Sequence, residues 1–287
     1  MTLIRCVLIA GLALGCVRGT ANAQSGSWAE VNGARLYYER SGTGPDVILI
    51  HGFSLDHRMW QPQVAALSAA FRVTRYDVRG FGQSSPVTST HDAVADLREL
   101  MDHLDIRRAH IVGMSMGGTI AADFVLTHPD RAATLVLVGG GVSGAPLTGA
   151  AERLGAIFRL GADSGVTAAK DRWLRDHFLT PVHDTAAVRK LVRSIVLQCS
   201  CPHLAKPELF PQEAAPPAFG RLEDIRVPIL AITGDADDPD VLAVAEAIER
   251  RVPGARRLRI ANAGHLANLE QPATINAGMF AFFKEHP

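Results

Sequence analysis

The sequence carries no excess of charge of either sign and no block of basic residues. Its 287 residues include 29 Lys and Arg and 29 Asp and Glu, so the formal net charge is zero at pH 7. Proteins that hold nucleic acid need a positively charged surface for the phosphates, so this balance gives nucleic-acid binding no support. The sequence also contains no internal repeat and no sustained heptad pattern, which argues against a repeat protein or a coiled coil.

Cysteine is scarce, with four residues in the chain. Cys6 and Cys16 lie in an N-terminal apolar segment, which leaves the pair Cys199 and Cys201. A disulfide across a single residue closes a small, strained ring, so a bonded pair and two free thiols at the end of a helix both remain open. With no further cysteine and no pair of histidines nearby, the sequence predicts no zinc site.

No apolar run is long enough to cross a membrane comfortably. The N-terminal run, residues 6–17, spans about a dozen residues, follows Arg5 and precedes Ala21-Asn22-Ala23, an A-x-A cleavage pattern. These features predict a signal peptide over residues 1–23 and an exported protein, periplasmic or secreted, with no stable membrane span after cleavage near Ala23. A lipoprotein signal at Cys16, whose preceding residues fit poorly, and an unprocessed apolar extension are the alternatives.

Beyond this segment, β-branched apolar runs alternate with helical patterns. A hairpin around Asn32-Gly33 opens the series, since this dipeptide favours a two-residue turn. Strands alternating with helices favour a parallel sheet covered on both faces. The sequence therefore predicts an α/β fold with a doubly wound, mostly parallel eight-stranded sheet. The predicted strands are 28–32, 35–41, 47–50, 72–76, 109–113, 134–138, 227–233 and 257–260, and the predicted helices are 59–70, 92–104, 119–125, 150–160, 184–198 and 241–248.

The alternation stops after Gly141. Residues 142–224 contain two segments of helical spacing and a proline-rich return, but no pattern typical of a parallel strand. They predict a helical lid inserted between the two parts of the core, residues 24–141 and 225–287. The charges of the lid balance, so they do not indicate a highly charged substrate. Its apolar residues either pack on the core or form a wall of the substrate cavity.

The most informative motif is Gly113-Met114-Ser115-Met116-Gly117, placed between a predicted strand and a predicted helix. G-x-S-x-G in this context is typical of a nucleophile elbow, a sharp turn that projects a serine into a cleft. A turn this sharp strains the serine backbone, and side chains at the two glycines would collide with the neighbouring strand and helix. The alternative is a glycine-rich turn that only packs a helix on a strand.

A serine nucleophile needs a base and an orienting acid. His265 follows the last predicted strand, and Asp235, Asp237, Asp238 and Asp240 follow the strand before it. Because ligands bind beyond the carboxyl ends of parallel strands, these loops can meet Ser115 at one edge of the sheet. The chain order of serine, acid and histidine is that of hydrolases with a nucleophile elbow. The residues alone do not decide which aspartate is the acid.

Taken together, these motifs resemble the α/β-hydrolase superfamily across the whole predicted mature chain, in particular small lidded esterases and 3-oxoadipate enol-lactonases. In that family, Gly-x-x-Asp after the corresponding strand ends in the acid of the triad. Applied to Gly234, the pattern selects Asp237, with Asp238 as the next candidate. Asp240, which precedes the predicted helix 241–248, fits an N-cap.

Met116 directly follows the predicted nucleophile, and its backbone N–H is expected to be one donor of an oxyanion hole. The second donor comes from the resemblance. His51-Gly52-Phe53 follows a predicted strand and is similar to the oxyanion loop of the family, which implies that Phe53 N–H donates. The alternative is an ordinary strand-to-helix turn. His51 is expected to hold this loop rather than to transfer protons.

A further segment that resembles the family, D-x-R-G-x-G-x-S, runs over residues 77–84. We expect it to be a turn held by Asp77, Arg79 and Ser84, with glycines where the backbone needs a positive φ. No chemistry is assigned to it, although Phe81 is placed to border the cleft.

The resemblance implies a serine hydrolase that cleaves a small carboxylic ester or lactone through an acyl-enzyme, with no metal or organic cofactor. Haloalkane dehalogenases and epoxide hydrolases of this fold carry an aspartate at the elbow, where this chain has Ser115. Perhydrolases, C–C bond hydrolases and peptidases of the same fold remain alternatives. A binding protein without turnover is a further alternative, disfavoured because a complete triad is present.

Overall fold

The computed structural model describes residues 26–182 and 185–287. The predicted signal peptide, with Cys6 and Cys16, lies outside the described residues. The described strands are Ser27–Val31 (β1), Ala34–Ser41 (β2), Asp46–Ile50 (β3), Arg72–Tyr76 (β4), Ala109–Met114 (β5), Ala132–Val138 (β6), Ile229–Gly234 (β7) and Arg256–Ile260 (β8). The described α-helices are Gln61–Leu67 (α1), Ala93–His103 (α2), Met116–Thr127 (α3), Thr148–Ser164 (α4), Val166–Trp173 (α5), Ala186–Gln198 (α6), Pro239–Arg251 (α7), Ala267–Glu270 (α8) and Pro272–Glu285 (α9).

The eight strands form one sheet in the order β1-β2-β4-β3-β5-β6-β7-β8. β2 is antiparallel to both of its neighbours, and β4, β3, β5, β6, β7 and β8 are parallel to one another. Every residue of β3, β5, β6 and β7 is buried, as expected for strands covered by helices on both faces. The predicted doubly wound α/β fold is confirmed.

The opening hairpin follows directly from its turn residues. Asn32 and Gly33 both have positive φ, 45° and 75°, as a two-residue hairpin turn with a twist matching the strands requires. The turn sets the register in which Val31 pairs with Ala34. The hairpin lies at the edge of the sheet, away from the strands that carry the predicted site.

Proline explains where two of the helices begin. The helix predicted over 59–70 is a short 3-10 turn followed by α1, because Pro62 is tolerated only in the first turn of an α-helix. α7 begins at Pro239, so its N-cap is Asp238, whose side chain accepts from the backbone N–H of Asp240. The prediction that Asp240 is the N-cap was therefore wrong.

The segment predicted as a lid contains α4, α5 and α6, followed by 3-10 turns at Pro202–Leu204, Pro207–Leu209 and Ala218–Asp224. No strand occurs among its described residues. Cys199 and Cys201, which follow α6, form a disulfide, which settles the choice that the sequence left open. α5 was not predicted, since its eight residues show too little apolar periodicity to distinguish it from a loop.

No α-helix within residues 26–182 and 185–287 combines the length and the apolar character that a membrane crossing would require.

Candidate active site

The elbow after β5 places Ser115 in a strained backbone conformation, with φ 51° and ψ −113°. A Cβ at Gly113 would lie 2.1 Å from the carbonyl oxygen of Gly117, and a Cβ at Gly117 would lie 2.3 Å from the carbonyl oxygen of Ile50. Real Cβ atoms do not approach backbone this closely, so both positions require glycine. The predicted collisions with helix and strand are confirmed. The turn stays tight because Ser115 N–H donates to the carbonyl of Val138 on β6 at 2.9 Å.

The predicted acid and base meet beyond β7 and β8, whose last residues, Gly234 and Ile260, are paired in register. His265 Nδ1 lies 2.9 Å from Asp237 Oδ1 and 3.2 Å from Oδ2. Both side chains are buried. Asp237 Oδ1 also accepts the backbone N–H of Asp238 at 2.7 Å, which fixes the carboxylate. Because a carboxylate oxygen accepts, the Nδ1–H of His265 donates to Asp237, and Nε2 is the ring nitrogen left to act as a base.

Ser115 and His265 line the same cavity, at the edge of the sheet where β5 and β8 end. No hydrogen bond joins the two side chains in the described part of the chain. Such catalytic hydrogen bonds often tighten only when a substrate is bound. The backbone of Gly139, which follows β6, lies close to the imidazole, since a Cβ there would lie 2.9 Å from Cε1 of His265. This glycine lets the imidazole lie against the end of β6.

Two backbone N–H groups beside Ser115 have no hydrogen-bond partner among the described residues. They belong to Met116, the first residue of α3, and to Phe53, in the loop after β3. The first N–H groups of any helix lack intrahelical partners, and they favour negative charge. The structure thus brings both predicted oxyanion donors to the cavity that Ser115 lines.

The loop that carries Phe53 is fixed from two sides. His51 is fully buried, its Nε2 accepts from the N–H of Val78 at 3.0 Å, and its Nδ1 lies 2.8 Å from the carbonyl of Gly52. Burial lowers the pKa of His51, which keeps the ring neutral and suits it to holding the loop. On the other side, Trp173 of α5 donates its Nε1–H to Ser54 Oγ at 2.6 Å.

The aspartates that crowd the loop after β7 divide into separate roles. Asp237 contacts His265, whereas Asp238 caps α7 and pairs with Arg153 of α4. Asp240 accepts from Thr148 Oγ1 at 3.3 Å and from the N–H of Ala150 at 2.9 Å, so it caps the N-terminus of α4. The acid loop therefore holds the lid as well as the histidine.

A contact that the sequence did not reveal connects the lid to His265. The Phe178 ring lies 4.4 Å from the imidazole, centroid to centroid, and the Arg153 guanidinium lies 5.5 Å from the centroid of the same phenyl ring. Arg153 also pairs with Asp238 and lies 3.6 Å from Asp176. We call these three contacts of Arg153 the lid clamp. No local pattern marks them, because they join residues far apart in the chain.

Glu270 fixes the loop before His265. Its carboxylate accepts from the N–H of Gly264 at 3.0 Å and from the N–H of Val182 at 2.8 Å. One carboxylate thus holds both the histidine loop and the lid segment after α5. No sequence pattern marks this role, apart from the position of the residue near His265.

Both ends of the lid are attached to α3 through one buried carboxylate. Asp123 accepts Ser143 Oγ–H at 2.5 Å and the N–H of Ala214 at 3.2 Å. Ser143 Oγ in turn accepts the N–H of Ala218 at 2.8 Å. Burial raises the pKa of Asp123, and these hydrogen bonds act in the opposite direction. Asp123 also lines the cavity, two helical turns beyond Ser115.

The cavity that Ser115 opens into has a volume of about 300 Å³ and a mainly apolar wall. The core contributes Phe53 and Ile120, and the lid contributes larger side chains. The larger apolar side chains that the lid contributes are Leu147, Leu154, Phe158, Trp173, Phe178, Leu179 and Phe210. The sequence left open whether the apolar residues of the lid pack on the core or form a wall of the cavity, and in the structure they do both. A cavity of this size suits a small molecule.

Outside this cavity, one group of described side chains has the donor types of a metal site, namely Asp56, His57 and Asp77, with ligand atoms within 4.8 Å of one another. Their hydrogen bonds are already used within the fold. Asp77 accepts from the N–H and Nδ1 of His57 and from the N–H of Gln83, all at 2.8 Å. Burial acts to raise the pKa of Asp77, but these contacts lower it below its usual value.

Asp77 belongs to the turn predicted over residues 77–84. Ser84 Oγ–H donates to the carbonyl of Asp77 at 2.6 Å, and the glycines at 80 and 82 have positive φ, as predicted. Arg79 differs from the prediction, because it leaves the turn and pairs with Asp96 of α2. Phe81 does not line the cavity and instead packs behind Phe53.

Residues 47–277 match the model of the alpha/beta hydrolase family. Among curated proteins, 3-oxoadipate enol-lactonase 1 of Acinetobacter baylyi is 28% identical over 236 residues, which cover 79% of this chain and 84% of that protein. Carboxylesterase YbfK of Bacillus subtilis is 30% identical over 252 residues, which cover 83% of this chain and 80% of that protein.

The fold is shared with solved structures as well. A bromoperoxidase from Bacillus anthracis is similar with a TM-score of 0.74 and 26% identity, covering 91% of this chain and all of that chain. Since the curated relatives carry names of ester-cleaving enzymes, the comparisons support an ester-hydrolysing enzyme.

Proposed function

The chain belongs to the alpha/beta hydrolase family, and we propose that it is a serine hydrolase that cleaves a small carboxylic ester or lactone through an acyl-enzyme on Ser115. One observation carries this proposal. One apolar cavity is lined by the strained Ser115, by the histidine of a buried histidine–aspartate pair, and by Phe53 and Met116, whose N–H groups have no partner among the described residues. The names of the curated relatives, an enol-lactonase and a carboxylesterase, support the same reaction class.

In the first half of the proposed reaction, Ser115 Oγ attacks the acyl carbonyl and His265 Nε2 takes the proton of the hydroxyl. Asp237 holds Nδ1–H and stabilises the imidazolium that forms. The N–H groups of Phe53 and Met116 donate to the oxygen of the tetrahedral intermediate. Each such donor contributes about 100-fold to 1000-fold in rate.

The intermediate collapses when His265 Nε2–H protonates the leaving alkoxide, and the alcohol departs. For a lactone, the alcohol stays attached to the acyl chain. In the second half, His265 Nε2 takes a proton from water, and the resulting oxygen nucleophile attacks the acyl-Ser115 carbonyl. Proton return to Ser115 Oγ then releases the carboxylic acid and restores the enzyme.

The test is hydrolysis of p-nitrophenyl acetate and butyrate by the purified protein, beside Ser115→Ala and, as a matched control, Ser89→Ala at an exposed serine. We expect Ser115→Ala to abolish turnover and Ser89→Ala to leave it unchanged. Intact-mass measurement after treatment with a fluorophosphonate should show one adduct, absent in Ser115→Ala. Equal rates in the wild type and Ser115→Ala would contradict Ser115 as the nucleophile.

Perhydrolysis is a second candidate, supported by the similarity to a structure named as a bromoperoxidase. Hydrogen peroxide would replace water as the nucleophile on the acyl-enzyme, so that the carboxylic acid leaves as a peracid. The test is bromination of monochlorodimedone in the presence of acetate, peroxide and bromide. Ser115-dependent bromination would support this activity, and bromination by Ser115→Ala would rule out the acyl-enzyme route. A C–C bond hydrolase of the same fold has no specific observation in its favour.

We also propose that the protein is exported after cleavage of residues 1–23. The disulfide between Cys199 and Cys201 supports this proposal, because such bonds persist in oxidising compartments. N-terminal sequencing of protein recovered from the periplasm or the medium tests it. A mature N-terminus at Gln24 is expected, and a protein that begins at Met1 in the cytoplasm would contradict export.

A further inference from the structure

The wall of the cavity contains carboxylates but no basic side chain of lysine or arginine. None of its described lining residues is a lysine or an arginine, and the two carboxylates in its wall are Asp123 and Glu213. Asp123 is buried, with 2% of its surface exposed, whereas Glu213 is exposed at the mouth. A carboxylate carried by a ligand would therefore lose its water without gaining a cationic partner.

Asp123 lies where the far end of a bound chain would come. Ser115, Thr119 and Asp123 follow one another at intervals of four residues along α3, and all three line the cavity. At 1.5 Å per residue, Asp123 lies about 12 Å along the helix from the nucleophile. Its two protein donors, from Ser143 and Ala214, leave lone pairs of the carboxylate for a further donor.

No cation in the cavity wall compensates Asp123. Arg221 acts on its pKa from outside the lining and pairs with Asp224 at 3.2 Å, and the other charge that acts on it, Asp92, is also negative. At an effective dielectric constant of about 20, two like charges about 10 Å apart repel enough to lower binding roughly tenfold. Loss of hydration acts in the same direction on any anion that enters.

We propose that the cavity selects esters and lactones whose chain ends in a neutral or cationic group and excludes those that end in a carboxylate, with Asp123 as the specificity-determining residue. This inference rests on the proposed function, since it names the substrate class of the same site. The proposal ranks substrates by the terminal group of their chain: the cavity accepts an ammonium or an apolar end and rejects a carboxylate.

The test compares three acyl chains of six carbons that differ in charge: p-nitrophenyl hexanoate, p-nitrophenyl 6-aminohexanoate and mono-p-nitrophenyl adipate. Rates are measured at pH 8, which favours the ionised Asp123, and are corrected for spontaneous hydrolysis. For the wild type we expect kcat/KM for the adipate ester at least tenfold below that for the hexanoate ester. An adipate ester that is cleaved as well as the hexanoate ester would overturn the proposal.

Two variants locate the effect. Asp123→Asn removes the buried charge with little change of shape and should lower the hexanoate-to-adipate ratio by about tenfold, which leaves only the part due to loss of hydration. Glu213→Gln removes the exposed charge and should change the ratio by less than twofold, because exposed charges are screened by salt. A ratio that responds to Glu213→Gln but not to Asp123→Asn would refute the assignment to Asp123.

A binding measurement separates this inference from the proposed function. Calorimetry with Ser115→Ala and the matched ethyl esters of hexanoate, 6-aminohexanoate and adipate ranks affinity without turnover. Weaker binding of the adipate monoester supports charge selection even if none of the p-nitrophenyl esters is cleaved, in which case only the proposed reaction fails. Equal affinities for the adipate and hexanoate esters would overturn the charge selection itself.

Discussion

The lid clamp predicts that Arg153→Met lowers both stability and turnover. The change removes the partner of Asp238, whose side chain is 3% exposed, and a cation 3.6 Å from Asp176, whose side chain is 1% exposed. It also removes the guanidinium that supports the Phe178 ring against His265. The chain of contacts from Arg153 to the imidazole thus passes through one phenyl ring.

The magnitude lies between two limits. Exposed ion pairs contribute about 0 to 1 kcal/mol, whereas breaking a buried pair costs about 3 to 5 kcal/mol because a buried charge is left without its partner. The Arg153 side chain is 33% exposed, so water can reach the site, and Asp238 keeps its hydrogen bond to the N–H of Asp240. We expect the free energy of unfolding to fall by about 2 kcal/mol, roughly 4 to 8 °C in melting temperature.

The assays are thermal unfolding and hydrolysis of p-nitrophenyl butyrate. We expect kcat to fall about tenfold in Arg153→Met, since a small misplacement of a catalytic group has effects of this order, with a smaller change in KM. Arg153→Lys keeps the positive charge but not the planar guanidinium with its several N–H donors, and should recover part of kcat. Arg98→Met, at an arginine of α2 that pairs with Asp102 and whose side chain is 39% exposed, is the control. If Arg153→Met and Arg98→Met share the same melting temperature and kcat, the clamp has no role.

Three further predictions test separate parts of the structure. Asp237→Asn should lower kcat by about 10⁴-fold, because the histidine would be held in the wrong tautomer, whereas Asp238→Asn should lower it far less; similar losses would put the choice of acid in doubt. Gly117→Ala should destabilise the protein by several kcal/mol in thermal unfolding, since its Cβ would lie 2.3 Å from a backbone oxygen, whereas Gly220→Ala, with nothing within 4 Å, should be neutral. Burial lowers the pKa of His203 to about 4, below its value of about 6.5 in the unfolded chain. Between these two pH values the unfolded state binds more protons than the folded state, so the free energy of unfolding falls as the pH drops from about 6.5 to 4. His203→Phe should reduce this loss in unfolding curves at pH 5 and 7, and an unchanged pH dependence would contradict it.

The core of the fold and the elbow that carries Ser115 were predictable because their signals are local. A strand buried on both faces is a continuous apolar run, and β6 shows that run within Ala132–Val138. The elbow is confined to five residues around Ser115, and its glycines follow from contacts that any sharp turn of this kind creates. The order of the strands in the sheet and the elements that flank them agree with the predicted class.

The residues that hold the site together were not predictable, because each acts over a long sequence separation. Arg153 reaches Asp238 over 85 residues, and Trp173 reaches Ser54 over 119. The wrong prediction that Asp240 is the N-cap of α7 has a related cause. Several aspartates near the start of a helix can all serve as caps, and the choice was made by Pro239 at the first turn and by the lid helix that Asp240 caps instead.

Three of the groups assigned to catalysis by the proposal, namely Phe53 N–H, His265 and Asp237, lie in loops that the lid contacts. Trp173 bonds to the loop that carries Phe53, Phe178 lies on His265, and Arg153 pairs with the neighbour of Asp237. Sheet edges fix where these loops begin, but several residues separate each strand end from its functional side chain. Lid docking and the geometry of the site are therefore thermodynamically coupled. A substitution in the lid that weakens docking must then lower turnover even when it touches no substrate atom.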